Sequence, residues 1–122
     1  MSQVNFTNFY SAQLFVAYMR LDYNCQNECG EPWDVLGWIS LQPGDTQTRD
    51  NPTNNQYYYY YAEAVDGALW SGPFPAEVSN DVFEKCTCLG VTVQNGPPTN
   101  PYYTVGFQEL GLSQYGGVNF TA

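Results

Sequence analysis

Segments rich in β-branched and aromatic residues recur along the chain, and no helix-period pattern runs for long. Residues 4–9 alternate apolar and polar side chains with a period of two, which places the apolar side chains on one face of a strand that covers a core. Clusters of Gly, Pro, Asn and Asp separate the segments, which is typical of a sandwich or barrel. Strands are predicted at residues 4–9, 13–20, 35–41, 46–49, 56–65, 68–71, 102–110 and 117–121.

Two turns have a specific chemistry. Pro43 presets φ at the first corner of a turn and Gly44 supplies a positive φ at the second, which predicts a type II turn. Asp66 and Gly67 lie between two apolar segments, which predicts a type I′ hairpin joining residues 56–65 to 68–71. Residues 22–33 and 95–101 are predicted to be loops.

A single segment has helical features. Ser79 or Asn80 can cap a helix N-terminus, and the negative charge of Asp81 favours that end. Residues 79–86 are therefore predicted to form one or two helical turns. We expect an all-β fold, an antiparallel β-sandwich of seven to nine strands with at most one short helix. The 122 residues are expected to form a single domain, residues 1–122.

The charge of the chain narrows the range of partners. The net charge is −9, and Arg20, Arg49 and Lys85 supply all of the positive charge. Three cations cannot neutralise a row of phosphates, so nucleic acid and anionic membrane surfaces are excluded as partners. No apolar stretch approaches the 18 residues of a membrane-spanning helix, so no membrane insertion is expected.

The low content of charged residues and the N-terminal sequence indicate where the protein is found. Charged residues make up 12% of the chain, against about 25% in ordinary soluble domains. Such a surface suits a protein that touches a partner or lies outside the cell. The first residues lack the basic and apolar regions of a signal peptide. We expect an intracellular product or export by a non-classical route, with a virion or an extracellular surface as destinations.

The sequence contains few of the residue types on which catalysis usually depends. The chain has no His, which removes the commonest general base and metal ligand, and no cofactor is predicted. Paired carboxylates remain as an alternative, with Glu63 and Asp66 or Asp45 and Asp50 as candidates. A glycosidase needs two carboxyls at a fixed separation, whereas scattered acids on a β surface usually serve solvation. We therefore expect no enzymatic activity.

The four cysteines lie in two close pairs, Cys25 with Cys29 and Cys86 with Cys88. Two disulfides that join the first pair to the second, in an order left open, are the favoured interpretation. One disulfide within each pair is the alternative, but an extended one-residue spacer tends to hold the Cβ atoms of Cys86 and Cys88 apart. A Cys₄ zinc site fits less well because structural zinc sites usually space two ligands as C-x₂-C. Free thiols are the third alternative, and the redox compartment would decide between them.

The most conspicuous segment is the run of five tyrosines at residues 57–61. Successive strand residues point to opposite faces, so both faces of this strand are aromatic. One face is expected in the core, and the other must pack under loops bearing Trp33 or Trp38 or contact a partner. Tyrosine and tryptophan suit both protein interfaces and sugar stacking. The candidate binding or interface residues are Tyr58, Tyr60, Trp33, Trp38 and Trp70.

A long motif comprises Gly37, Trp38, Ile39, Leu41, Pro43, Gly44, residues 60–64, Asp66, Gly67, Trp70, Gly72 and Pro73. With residues 15–18, Phe83, Cys86 and residues 105–107, this motif resembles the bacterial domain-of-unknown-function family 1036. It implies a small cysteine-bearing β domain, alone or attached to other modules, with no established activity and no catalytic residues to carry over. The missing leader and the longer aromatic run depart from that family.

Taken together, these features predict a non-enzymatic structural or interaction protein. It would self-associate, or it would serve as a subunit or decoration module of a larger assembly. That assembly could be a phage or virus particle, a surface filament, or a complex in which the protein docks on a partner. The alternative is a lectin-like carbohydrate-binding domain, in which exposed aromatic rings and neighbouring Asn and Asp residues bind a glycan.

Overall fold

The computed structural model describes residues 2–25, 32–87, 103–112 and 116–122. Every regular element in these ranges is a strand. The ten strands are β1 (Ser2–Asn8), β2 (Leu14–Leu21), β3 (Trp33–Leu41), β4 (Thr46–Asn51), β5 (Tyr57–Ala64), β6 (Leu69–Trp70), β7 (Phe74–Val78), β8 (Phe83–Thr87), β9 (Tyr103–Gly111) and β10 (Gly117–Phe120).

The strands form two sheets. The smaller sheet has the order β10-β1-β4, and the larger has the order β7-β9-β5-β2-β3-β8, with the short β6 paired to β5. All pairs are antiparallel except β1 with β10, which run parallel. The predicted all-β, mainly antiparallel fold is confirmed, and the described residues contain one strand more than the upper limit predicted.

The larger sheet curls until its two end strands, β7 and β8, approach each other and nearly close a barrel. The Lys85 Nζ and Glu77 Oε1 atoms form an ion pair of 3.0 Å between these strands. The indole Nε1 of Trp38, on β3, donates a 2.6 Å hydrogen bond to the carbonyl of Ser79, in the segment that joins β7 to β8. These side-chain bonds hold together an edge that has no backbone ladder.

A bulge in β3 changes which side chains point into the barrel. The register with β2 shifts between Val16, opposite Ile39, and Ala17, opposite Gly37, so Trp38 is the additional residue. Trp33 and Val35 before the bulge therefore share the inner face with Trp38 after it. Gly37 is required here because a Cβ at that position would lie 2.4 Å from the ring of Phe83.

Two apolar cores result from this arrangement. One lies between the sheets and includes Val4, Phe6, Leu14, Val16, Tyr18, Ile39, Leu41, Tyr58, Ala62, Leu110, Val118 and Phe120. The other fills the barrel and includes Ala17, Met19, Trp33, Val35, Tyr59, Tyr61, Ala76, Val78, Phe83 and Phe107. The tyrosine strand β5 separates the two cores, so the chain itself covers both aromatic faces.

The predicted helix at residues 79–86 is wrong. Its second half is β8, which pairs antiparallel with β3 from Phe83 opposite Gly37 to Thr87 opposite Trp33. The Ser79 hydroxyl accepts a hydrogen bond from the Asp81 N–H, but this forms a local turn rather than a helix cap. A single helical turn is marginal on its own, and the free edge of β3 offers the segment a complete ladder.

The two predicted turns have different outcomes. Gly44 has a φ of 91°, and the Asp45 N–H donates to the Gln42 carbonyl, as expected for the turn at Pro43. The β5–β6 hairpin also forms, but its predicted type I′ turn is wrong. Of residues 65–67 only Gly67 has a positive φ, and the Gly67 N–H donates to the Ala64 carbonyl. This is a three-residue loop that ends in a glycine bulge.

Candidate functional site

A groove opens at one end of the barrel, where β2 begins and β3 and β5 end. Phe15 lies opposite both Ser40 of β3 and Glu63 of β5, so the three side chains share the inner face. Ser40 reaches that face only because the β3 bulge reverses the alternation after Gly37. The groove has a volume of about 520 Å³. That volume lies within the usual range of small-molecule sites, and barrel mouths are common places for them.

The remaining walls come from two other parts of the fold. Asn80, Asp81 and Val82 lie in the segment between β7 and β8, and Tyr103 begins β9. These three residues of the β7–β8 segment are exposed to solvent. The groove thus combines aromatic rings with a carboxylate and an amide on an accessible rim.

Trp38 is the best-fixed aromatic ring of the groove. Its indole N–H is held by the Ser79 carbonyl, and its ring meets those of Tyr61 and Phe83 at near-perpendicular angles of 63° and 69°. Such edge-to-face contacts stabilise aromatic packing by about 0.5–1.5 kcal/mol each. The ring is therefore preorganised, and a ligand need not order it.

The electrostatics of the groove are negative. The Tyr61 hydroxyl donates a 3.0 Å hydrogen bond to Glu63 Oε2. Burial, and then this bond and the charge of Glu63, raise the pKa of Tyr61 above its ordinary value, so the phenol stays a donor at neutral pH. Burial and the charge of Glu63 also raise the pKa of Tyr103. The described lining contains Glu63 and Asp81 but no Lys or Arg.

Exposed apolar side chains surround the same end of the molecule. Val82 on the rim is 86% exposed, and Phe9, Val65 and Leu69 are each more than half exposed. The segment after β1 is tied to the β5–β6 hairpin, because the Tyr10 hydroxyl donates to Asp66 and the Val65 N–H donates to the Gln13 carbonyl. Exposed apolar side chains therefore lie at the same end of the molecule as the groove, and Val82 belongs to both.

The five predicted contact residues differ in burial and in surroundings. Tyr58 is fully buried between the sheets and Trp33 is 8% exposed inside the barrel, so neither side chain presents a surface to a partner. Tyr60 is half-buried and its hydroxyl donates to Gln108, while Trp70 packs edge-on against Tyr10 and Phe120. Trp38 alone of the five lines the groove.

The predicted carboxylate pairs have local roles. Glu63 lies in the groove, whereas Asp66 accepts hydrogen bonds from the Tyr10 hydroxyl and the Ala68 N–H within the hairpin. Asp45 accepts a hydrogen bond from the Gln42 N–H in its turn, and Asp50 lies exposed on β4. The carboxylate that does share the groove with Glu63 is Asp81.

The predicted link between the two cysteine pairs is present in part. Cys25, after β2, forms a disulfide with Cys86 of β8, with a Cα–Cα distance of 5.6 Å. Cys29 and Cys88 lie outside the described residues, as does the predicted loop at residues 95–101.

Sequence reasoning missed six of the groove residues: Phe15, Ser40, Asn80, Asp81, Val82 and Tyr103. Strand alternation assigns Phe15 and Glu63 to one face, but Ser40 joins them only through a bulge that no local signal marks.

In the described part of the chain, no helix is long and apolar enough to cross a membrane. No family model, curated protein or solved structure matches this chain.

Proposed function

We propose that the protein is a non-catalytic, lectin-like domain that binds a carbohydrate in the groove at the open end of the barrel. The observation that supports this most directly is the lining: the fixed ring of Trp38 with Phe15 and Tyr103, beside Ser40, Glu63, Asn80 and Asp81. Sugars have C–H faces that stack on aromatic rings and hydroxyls that hydrogen-bond to carboxylates and amides. A pocket of mixed aromatic and polar character is suited to both.

The charge of the groove narrows the class of sugar. Glu63 and Asp81 face the ligand without a compensating cation among the described lining residues, and the whole chain has a net charge of −9. Uronic and sialic acids would be repelled. The ligand is therefore a neutral glycan or an amino sugar, whose ammonium group would pair with the carboxylates.

A glycan array containing neutral, amino and acidic sugars tests the proposal. We expect binding to neutral or amino glycans, and a loss of about tenfold for Asp81→Asn, which removes one charged hydrogen-bond acceptor from an exposed rim. Trp38→Ala should lose more, because the stacking ring is removed.

Tyr23→Ala is the matched control, since Tyr23 is an aromatic residue that is 72% exposed and lies outside the groove. Absence of binding to every glycan would contradict the proposal. Release of reducing sugar from a bound glycan would contradict its non-catalytic part.

A subunit or decoration module of a larger assembly is the second candidate, and the exposed apolar side chains at the open end favour it. Phe9 and Val65 are both 63% exposed, and Leu69 is 58% exposed. The tyrosine run does not support this candidate, since the chain itself covers both faces of that strand. The resemblance to family 1036 stays a prediction and supplies no activity.

Light scattering over a range of concentrations tests this second candidate. We expect self-association that Leu69→Ser weakens. A monomer at every concentration would contradict the self-association form of this candidate.

A further inference from the structure

A second cluster of chemically active side chains lies at the other end of β3. Asp34 lies directly opposite Cys86 in the β3–β8 ladder, so their side chains share one face. Glu84 precedes Cys86 by two residues and lies on that same face. The disulfide adds Cys25 from the loop after β2.

The distances in this cluster are those of a compact site. The Cys25 Sγ lies 3.9 Å from Asp34 Oδ1, and the ligand atoms of Cys25, Asp34 and Cys86 all lie within 4.8 Å of one another. A cavity of about 110 Å³ adjoins them and is also lined by Asp22, Asn24 and Glu84. Cys86 and Glu84 are exposed, so an ion can enter from solvent.

The balance of charge at this cavity is unusual. Asp34 is only 2% exposed, and the described cation nearest to it, Arg20, has its Nε atom 4.0 Å away and is shared with Asp22. Burial, and then the hydrogen bond and the charge of Glu84, together raise the pKa of Asp34 to about 8, while the charge of Arg20 opposes them. Three carboxyls, those of Asp22, Asp34 and Glu84, thus line the cavity, and the Arg20 guanidinium lies beside two of them.

We propose that reduction of the Cys25–Cys86 disulfide converts this cavity into a zinc site, with the two thiolates and Asp34 as ligands and Glu84 as the fourth. Tetrahedral zinc, with bonds of about 2.3 Å to sulfur and about 2.0 Å to oxygen, sets its S···O ligand pairs about 3.5 Å apart. The 3.9 Å from Cys25 Sγ to Asp34 Oδ1 is already close to that separation. Thiolate ligands favour zinc over the harder Ca²⁺ and Mg²⁺.

The chemistry balances with a dithiol as reductant. The dithiol gives two electrons and two protons to the disulfide, becomes a disulfide itself and leaves Cys25 and Cys86 as thiols. On binding, Zn²⁺ displaces to solvent the two thiol protons and the proton that the Asp34 carboxyl keeps at neutral pH. Oxidation reverses the sequence and releases the ion, so the cavity would hold metal only under reducing conditions. This site differs from the Cys₄ arrangement considered from the sequence, because carboxylates replace two of the cysteines.

Co²⁺ is a spectroscopic probe for the site. The full-length protein would be reduced with a phosphine, desalted without oxygen and titrated with Co²⁺. We expect one equivalent to produce thiolate charge-transfer absorption and the intense visible bands of a tetrahedral ion, and Zn²⁺ to displace it. The oxidised protein should show neither. Asp34→Asn should weaken binding at least tenfold while the thiolate bands persist, and Cys86→Ser should abolish them.

Two variants separate this site from other sources of binding. Cys29→Ser combined with Cys88→Ser should bind Co²⁺ like the wild type, and loss of binding in that variant would overturn the proposal. Asp50→Asn removes an exposed carboxylate from β4, in the smaller sheet, and should change nothing. Equal binding to oxidised and reduced protein, or an affinity unaffected by Asp34→Asn, would also overturn it. Near-ultraviolet circular dichroism would confirm that each variant is folded.

Discussion

At the scale of single residues, the tyrosines determine how the fold responds to alkaline pH. Tyr58 is fully buried and Tyr61 is 5% exposed, and burial is the largest cause that raises the pKa of each above its ordinary value of 10.0. Tyr18, also buried, has its pKa raised for the same main reason. At a pH above about 10, these phenols keep their protons in the folded state, whereas the same phenols in the unfolded chain would release them.

This linkage predicts a loss of stability above about pH 10. Because the folded-state pKa is raised, the stabilisation is complete below the unfolded value and decreases as the pH rises, by up to about 1.4 kcal/mol per pH unit for each such tyrosine. Urea unfolding between pH 8 and 11 would measure it. Tyr58→Phe, which gives up a hydrogen bond to the Asp50 carbonyl, should show a shallower decrease. An unchanged slope in that variant would show that Tyr58 does not contribute.

At the scale of elements, the bulge of β3 positions both the barrel core and the groove. Before the bulge, the Phe83 ring packs directly against Gly37, which has no side chain. After the bulge, the side chains of Trp38 and Ser40 point toward the groove. Aromatic packing in the barrel and the lining of the groove, both on the inner face, therefore depend on this one irregularity.

Gly37→Ala should therefore destabilise the fold. The new Cβ would meet the Phe83 ring at 2.4 Å, and overpacking of this kind typically costs about 1–3 kcal/mol. Gly111→Ala is the control, since a Cβ there meets nothing within 4 Å, and its effect should stay within about 0.5 kcal/mol. Thermal unfolding of both variants would measure the difference. Equal stability of the two would contradict the packing described for Gly37.

How much the sequence predicts differs from element to element for physical reasons. β2 and β5 are rich in aromatic residues and lie between turn signals, so both were predicted nearly to their ends. β7 contains Pro75 and β8 contains adjacent charges, and both are end strands whose conformation depends on the ladders of β9 and β3. Local signals cannot report a partner strand, and β8 was accordingly mistaken for a helix.

The candidate groove shows the same limit. Trp38 could be selected from the sequence as an aromatic contact residue, but its neighbours could not. Asn80 and Asp81 reach the groove only because the sheet closes β7 onto β8, and Tyr58 was misassigned because the three-stranded sheet covers it. Long-range packing decides both outcomes.

At the scale of the whole molecule, the two ends of the barrel differ in character. One end is the open groove, surrounded by exposed apolar side chains. Toward the other lies the Cys25–Cys86 disulfide, which fixes the end strand β8 across a sequence separation of 61 residues. A cross-link of that span stabilises a fold by roughly 4 kcal/mol in the chain-entropy description. The proposed glycan would bind in the groove at the opposite end, which is the central claim of this account.

The most direct test of that claim is a hydrogen–nitrogen correlation spectrum of the labelled protein, recorded while the strongest ligand from the glycan array is added. Three tryptophans give three indole signals. The account predicts that the Trp38 indole shifts together with the backbone amides of Ser40, Glu63 and Asn80 to Val82, while the indole signal of the buried Trp33 stays in place. Saturable shifts confined to another surface, or no shifts at all, would contradict it.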